Sequence, residues 1–212
     1  MARNRAEALI EPLAGPLLDR LARTGLSPDS LTVLSLAFTL PAAALIALGR
    51  PAAGCLAAVV ATSLDWVDGQ VARRSGRVSR AGNFLDSTLD RWGDFALYGG
   101  AAVLFRDSLP LLVASLLLMG SAFLVSYARA KAESLGVGLT VGAMQRAERL
   151  AVFFGGALVG PVTDPWVASW LAVGALDAPP HPTFAAATAL LAITTTATAI
   201  RRTILGYRAV RE

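Results

Sequence analysis

Six apolar runs divide this chain, at about Leu31–Leu48, Ala52–Leu64, Phe84–Phe105, Leu109–Val125, Leu150–Leu171 and Pro182–Ile200. A helix needs roughly 20 mostly apolar residues to cross the hydrocarbon of a bilayer. The two shorter runs approach that length by taking in neighbours, the second through Trp66 and Val67 and the fourth through Ser126 and Tyr127. Charged residues make up only 16% of the 212, where a soluble domain carries roughly a quarter. The expected fold is therefore an all-α integral membrane protein with six transmembrane helices. A soluble helical bundle is the alternative that the charge deficit disfavours.

The basic residues orient the runs. Arg3, Arg5, Arg20 and Arg23 precede the first. Arg73, Arg74, Arg77 and Arg80 fill the second connection, Arg129, Lys131, Arg146 and Arg149 the fourth, and Arg201, Arg202, Arg208 and Arg211 the tail. The other three connections carry only Arg50 and Arg106. Lysine and arginine collect on the cytoplasmic side of membrane proteins, so both termini are expected in the cytoplasm. Leu9, Leu13, Ala14, Leu17 and Leu21 recur at helical spacing beside Arg5, Glu11, Asp19 and Arg20, the pattern of an amphipathic helix lying on a membrane surface. Gly25 breaks it, and Ser27-Pro28-Asp29 offers a cap and an N-terminal proline for the first span. The expected division is an interfacial helix and linker over 1–29, a six-helix membrane domain over 30–205 and a cytoplasmic tail over 206–212. Met1 to Asp29 lacks the apolar core of a signal peptide, and the single Cys55 allows no internal disulfide. The arginines lie in short tracts between apolar runs, so a nucleic-acid partner is not expected.

One stretch breaks the apolar pattern: DWVDGQVARRSGRVSRAGNFLDSTLD, from Asp65 to Asp90. Asp65 and Asp68 close the second run, and Asp86 and Asp90 open the third. On antiparallel spans the two pairs share one depth, toward the cytoplasmic end. Spacing of three or four residues puts each pair on one helix face. Four ionised carboxylates do not gather in a membrane without compensation. A hard divalent cation such as Mg²⁺ or Mn²⁺ suits an all-oxygen ligand set. Gly69 and Gly82 are candidate close-approach positions, and Arg73 could reach a phosphate held by the metal. Helix caps and arginine-paired surface acids would account for one pair but not for two at matched depth. A transporter or channel, or a structural membrane module, is the alternative class; a transporter concentrates its polar groups near the midplane, and these sit toward one face.

With those residues in view, the stretch resembles the signature of the CDP-alcohol phosphatidyltransferase family. That signature runs Asp, two residues, Asp-Gly, two residues, Ala-Arg, eight residues, Gly, three residues, Asp, three residues, Asp. Asp65, Asp68-Gly69, Ala72-Arg73, Gly82, Asp86 and Asp90 fill every position. The resemblance implies transfer of a phosphatidyl group from a CDP-linked lipid to an alcohol with release of CMP. It implies that Asp65, Asp68 and Asp86 are metal ligands, and that Asp90 assists metal binding and acts as general base. It implies that Gly69, Ala72, Arg73 and Gly82 shape the CDP-lipid site, that two divalent ions bind, and that the protein is a homodimer.

The acceptor alcohol is read from the fourth connection, SYARAKAE (Ser126 to Glu133) and QRAER (Gln145 to Arg149). Arg129, Lys131 and Arg146, with Arg201 or Arg202 from the last helix, could surround a phosphate on the acceptor. Attraction to lipid headgroups would explain any one of them alone. The segments resemble those of phosphatidylinositol-phosphate synthases and their archaeal ether-lipid relatives, although Gln145 and Ala147 stand where that subgroup often has glutamate and proline. The implied acceptor is 1L-myo-inositol 1-phosphate and the donor CDP-diacylglycerol, with glycerol 3-phosphate as the competing acceptor.

Overall fold

A computed structural model describes residues 15–16, 18–20, 27–139, 144–173 and 178–211. Six long helices follow one another: α1 Pro28–Ala47, α2 Pro51–Arg74, α3 Arg80–Leu104, α4 Leu109–Ser134, α5 Arg146–Val173 and α6 Pro182–Arg211. Four of these, α1, α4, α5 and α6, are long and apolar enough to cross a membrane. At 24 and 25 residues α2 and α3 are as long, but they carry the carboxylates and arginines. The protein is an all-α, multi-spanning membrane bundle.

Proline at the first or second helical position starts α1, α2 and α4, where its missing N–H removes no intrahelical bond. Ser27 is the N-cap of α1, though its side chain makes no cap hydrogen bond. The helices outrun the apolar runs. The second continues to Arg74, the fourth to Ser134 and the last to Arg211, because alanine, arginine, lysine and glutamate are good helix formers that continue past the hydrocarbon. Leu9, Leu13, Ala14, Leu17 and Leu21, which carry the expected interfacial helix, lie outside the described residues with Arg5 and Glu11. Of that segment, residues 15–16 and 18–20 are helical, Leu18 is buried, and Asp19 pairs with Arg74 at the end of α2 at 2.5 Å.

The first helix packs against both α2 and α3, while α6 packs against α4 and α5. Two glycines set how near α1 lies. A Cβ on Gly54 of α2 would stand 2.6 Å from the Ala42 carbonyl oxygen, and one on Gly100 of α3 would stand 2.6 Å from that of Ala43. Membrane helices, which gain little from hydrophobic association in lipid, use small residues in this way to bring backbones together. Gly100→Val is expected to force α1 and α3 apart, an overpacking cost of about 1–3 kcal/mol. A lower melting temperature in detergent would register it. On the other side of the bundle, Tyr98, Phe153 and Phe184 stack edge to face, with ring centroids 5.1 and 4.9 Å apart, and lock α3, α5 and α6 around a buried centre.

Candidate active site

Asp65 and Asp68 stand three residues apart near the end of α2, and Asp86 and Asp90 four apart near the start of α3. Because α1 wedges against both helices, the two faces turn toward one cleft. Asp65, Asp68 and Asp86 each bring a carboxylate oxygen to within 4.8 Å of the others. A divalent ion with ligands at ~2.1 Å holds opposed oxygens about 4.2 Å apart, so small rotations close this group on a cation. The donors are all hard oxygens, the set that Mg²⁺ and Mn²⁺ take. Asp68 is the buried member, and the Thr32 hydroxyl of α1 donates to its Oδ2 at 2.5 Å. That bond orients the carboxylate from behind, as partners of metal ligands do.

Asp90 is turned to a different partner. Its Oδ1 lies 2.5 Å from a terminal guanidinium nitrogen of Arg146, the first residue of α5, and its Oδ2 lies 3.5 Å from Arg91. The same Arg146 nitrogen is 3.5 Å from Asp65. A small recess of the cleft, between Thr32, Ser35 and Thr39 of α1, Asp65 and Gly93, is closed by Arg146. The cleft thus sets a carboxylate–guanidinium pair directly beside the group of three carboxylates.

The glycines sit where the signature needs room. A Cβ on Gly69 would make ordinary contact with the Arg73 guanidinium at 3.4 Å, whereas one on Gly82 would crowd an Asp29 carboxylate oxygen at 3.1 Å. The Gly82 amide also donates to the side chain of Ser79, the N-cap of α3. Ala72 is half-buried and the adjacent Arg73 exposed, both in the last turn of α2.

The acceptor candidates divide. Arg146 is at the cleft. Arg129 is half exposed and pairs with Glu133 on its own helix at 2.8 Å, and Lys131 is exposed beside it. Arg201 faces outward, whereas Arg202 is buried at 4% exposure and donates to the Val125 carbonyl at 3.0 Å. Arg129 and Arg149 are close enough for their charges to act on Arg202. Cations of α4, α5 and α6 thus lie near one another, though Arg129 is paired with Glu133 and Arg149 with Asp94. Sequence reasoning passed over Arg149, the largest fully buried side chain, and Asp94, its partner at 3.0 Å. The signal for Asp94 was the four-residue step from Asp86 to Asp90, continued once more.

The larger cavity, about 370 Å³, is elsewhere. It lies at the opposite end of the bundle, bordered by Arg50, Asp164 and His181 among apolar residues, and touches none of Asp65, Asp68, Asp86 and Asp90. Asp164 there is already engaged, accepting from the Thr183 amide at 2.9 Å and lying 3.9 Å from His181. Geometry and chemistry, not cavity size, identify the site.

The chain is similar to known proteins along most of its length. The family model described as CDP-alcohol phosphatidyltransferase matches residues 26–207. Archaetidylinositol phosphate synthase of Methanothermobacter thermautotrophicus is 36% identical over 163 residues, 77% of this chain and 80% of that protein. Phosphatidylinositol phosphate synthase of Streptomyces avermitilis is 38% identical over 158 residues, 72% of this chain and 64% of its own length. The crystal structure of Mycobacterium tuberculosis phosphatidylinositol phosphate synthase with CDP-DAG bound matches with a TM-score of 0.78 at 29% identity, covering 94% of each chain. The structure of that enzyme in complex with manganese and citrate matches at 0.77, covering 91% of this chain and 88% of the other.

Proposed function

From the premise that this chain belongs to the CDP-alcohol phosphatidyltransferase family, we propose that it transfers a phosphatidyl group from CDP-diacylglycerol to 1L-myo-inositol 1-phosphate, forming phosphatidylinositol phosphate and CMP. The observation that carries the acceptor is the Asp90–Arg146 contact at the edge of the three-carboxylate group. It sets a candidate base and a cation for a phosphate side by side, as a small phosphorylated alcohol requires. The inositol-phosphate products named for the relatives support the same choice.

Asp65, Asp68 and Asp86 would hold the divalent metal, Mg²⁺ or Mn²⁺, with Asp90 assisting. Bound there, the metal supplies charge to the diphosphate of the donor and to the departing CMP. Gly69 and Gly82 leave room for the nucleotide and diphosphate, and Ala72 and Arg73 border them. Arg146 takes the acceptor phosphate, with Arg129, Lys131 and, from the last helix, Arg201 or Arg202 contributing. Asp90 accepts the proton of the acceptor hydroxyl as its oxygen bonds to the β-phosphorus. The bond from that phosphorus to the CMP oxygen breaks, and CMP leaves with the electron pair. A base acts only within hydrogen-bond reach, and Arg146 beside Asp90 brings the hydroxyl there.

The remaining assignments follow the same reading. All six helices span the bilayer as one membrane domain over 30–205. Both termini and the carboxylates face the cytoplasm, where nucleotide is available, while acyl chains stay in lipid. The protein works as a homodimer. Purified protein given CDP-diacylglycerol, Mg²⁺ or Mn²⁺ and one acceptor at a time is expected to release CMP and form lipid product with inositol 1-phosphate. CMP release with glycerol 3-phosphate alone would replace that acceptor.

A further inference from the structure

We infer that Asp94 is a positioning residue for the acceptor: it aims the Arg146 guanidinium into the cleft and acts on the alcohol only through it. This rests on Arg146 as the acceptor-phosphate group. Asp94 lies one turn beyond Asp90 on the same face of α3 and is 6% exposed. A carboxylate at that depth is costly unless its oxygens are paired. Both are. Oδ1 accepts from Arg146 Nε at 3.2 Å, and Oδ2 accepts from a terminal nitrogen of Arg149 at 3.0 Å.

The choice of nitrogen matters. Holding Arg146 by Nε leaves its terminal nitrogens for the cleft, where one of them meets Asp90 and Asp65. Arg149 completes the mount. It is 1% exposed, and its other terminal nitrogen donates to the Met144 carbonyl at 3.0 Å, just before α5 begins. One carboxylate thereby fixes two guanidiniums, one aimed at the cleft and one tying back the chain that enters the helix. The guanidinium and carboxylate bond through fixed planar forks, so the aim is directional as well as electrostatic.

Asp94→Asn separates aim from volume. The amide is the same size, but one of its two positions becomes a donor facing a guanidinium that can only donate. Loss of a charge-assisted bond of this kind is expected to raise the KM for the acceptor roughly tenfold or more, with the KM for CDP-diacylglycerol within about twofold of the parent. Asp94→Glu, which keeps the charge, should recover part of the acceptor KM. Melting temperature in detergent and elution on size exclusion report folding in both variants. An unchanged acceptor KM, an equal rise in both KM values, or loss of folded protein in both variants would overturn the inference in favour of a purely structural ion pair. If the parent uses glycerol 3-phosphate instead of inositol 1-phosphate, the acceptor assignment fails by itself, and the same split in KM is read with that alcohol. If it uses neither, Arg146 has no acceptor to hold and both fall together.

Discussion

Asp90→Asn should lower turnover by about two to four orders of magnitude, the range that a positioned general base contributes. The asparagine keeps the shape of the side chain and one oxygen toward Arg146, but it takes no proton. The effect belongs to kcat more than to the KM of either substrate. A metal titration separates the two roles that Asp90 could fill. Asp65, Asp68 and Asp86 form a group without it, so the metal concentration for half-maximal residual activity should change little. Near-parental turnover would remove Asp90 as the base. A large rise in metal requirement that restores full rate at saturation would make it a ligand instead.

Metal removal should have an effect as large. Chelation is expected to reduce CMP release to background, and added Mg²⁺ or Mn²⁺ to restore it. Asp68→Ala should not be rescued by any practical metal concentration, because it deletes the buried oxygen of a three-ligand group and leaves two carboxylates to carry the charge. Thr32→Val is the graded version. It removes the hydroxyl that orients Asp68, and loss of such a partner typically weakens metal binding about 10–100-fold. Activity in Thr32→Val should therefore return at high metal. Activity that survives thorough chelation in the parent protein would refute the assignment of the three carboxylates.

Much of this site was legible before any coordinates. Helical spacing put Asp65 with Asp68 and Asp86 with Asp90, and the alternation of arginine-rich connections put both pairs at one end of the bundle. Depth and face were enough to anticipate the cluster. What escaped was azimuth. Arg201 and Arg202 differ by one residue, about 100° around a helix, and only packing decides which turns inward; it is Arg202. Asp94 escaped because the family signature stops at Asp90, and Arg149 because a charge at the start of an apolar run reads as an interfacial anchor. Thr32 sits among apolar residues whose average conceals a single hydroxyl. The helix ends escaped for a simpler reason: hydropathy measures the hydrocarbon, and α2, α4 and α6 continue as helix beyond it.

The glycine contacts of α1 have a consequence for how such a protein can change. With Gly54 and Gly100 seated against Ala42 and Ala43, the three clustered aspartates ride on helices whose distance from α1 is set by backbone against backbone. The cations proposed for the acceptor ride on α4, α5 and α6, where a glycine is seated as closely: a Cβ on Gly156 of α5 would collide with the Ala187 Cβ of α6. Because the clustered carboxylates and these cations stand on different helices, substitutions in the second half of the chain can explore new alcohols while the contacts of α1 with α2 and α3 stay as they are. Libraries meant to redirect the product belong there, and those meant to alter the donor belong in the first half.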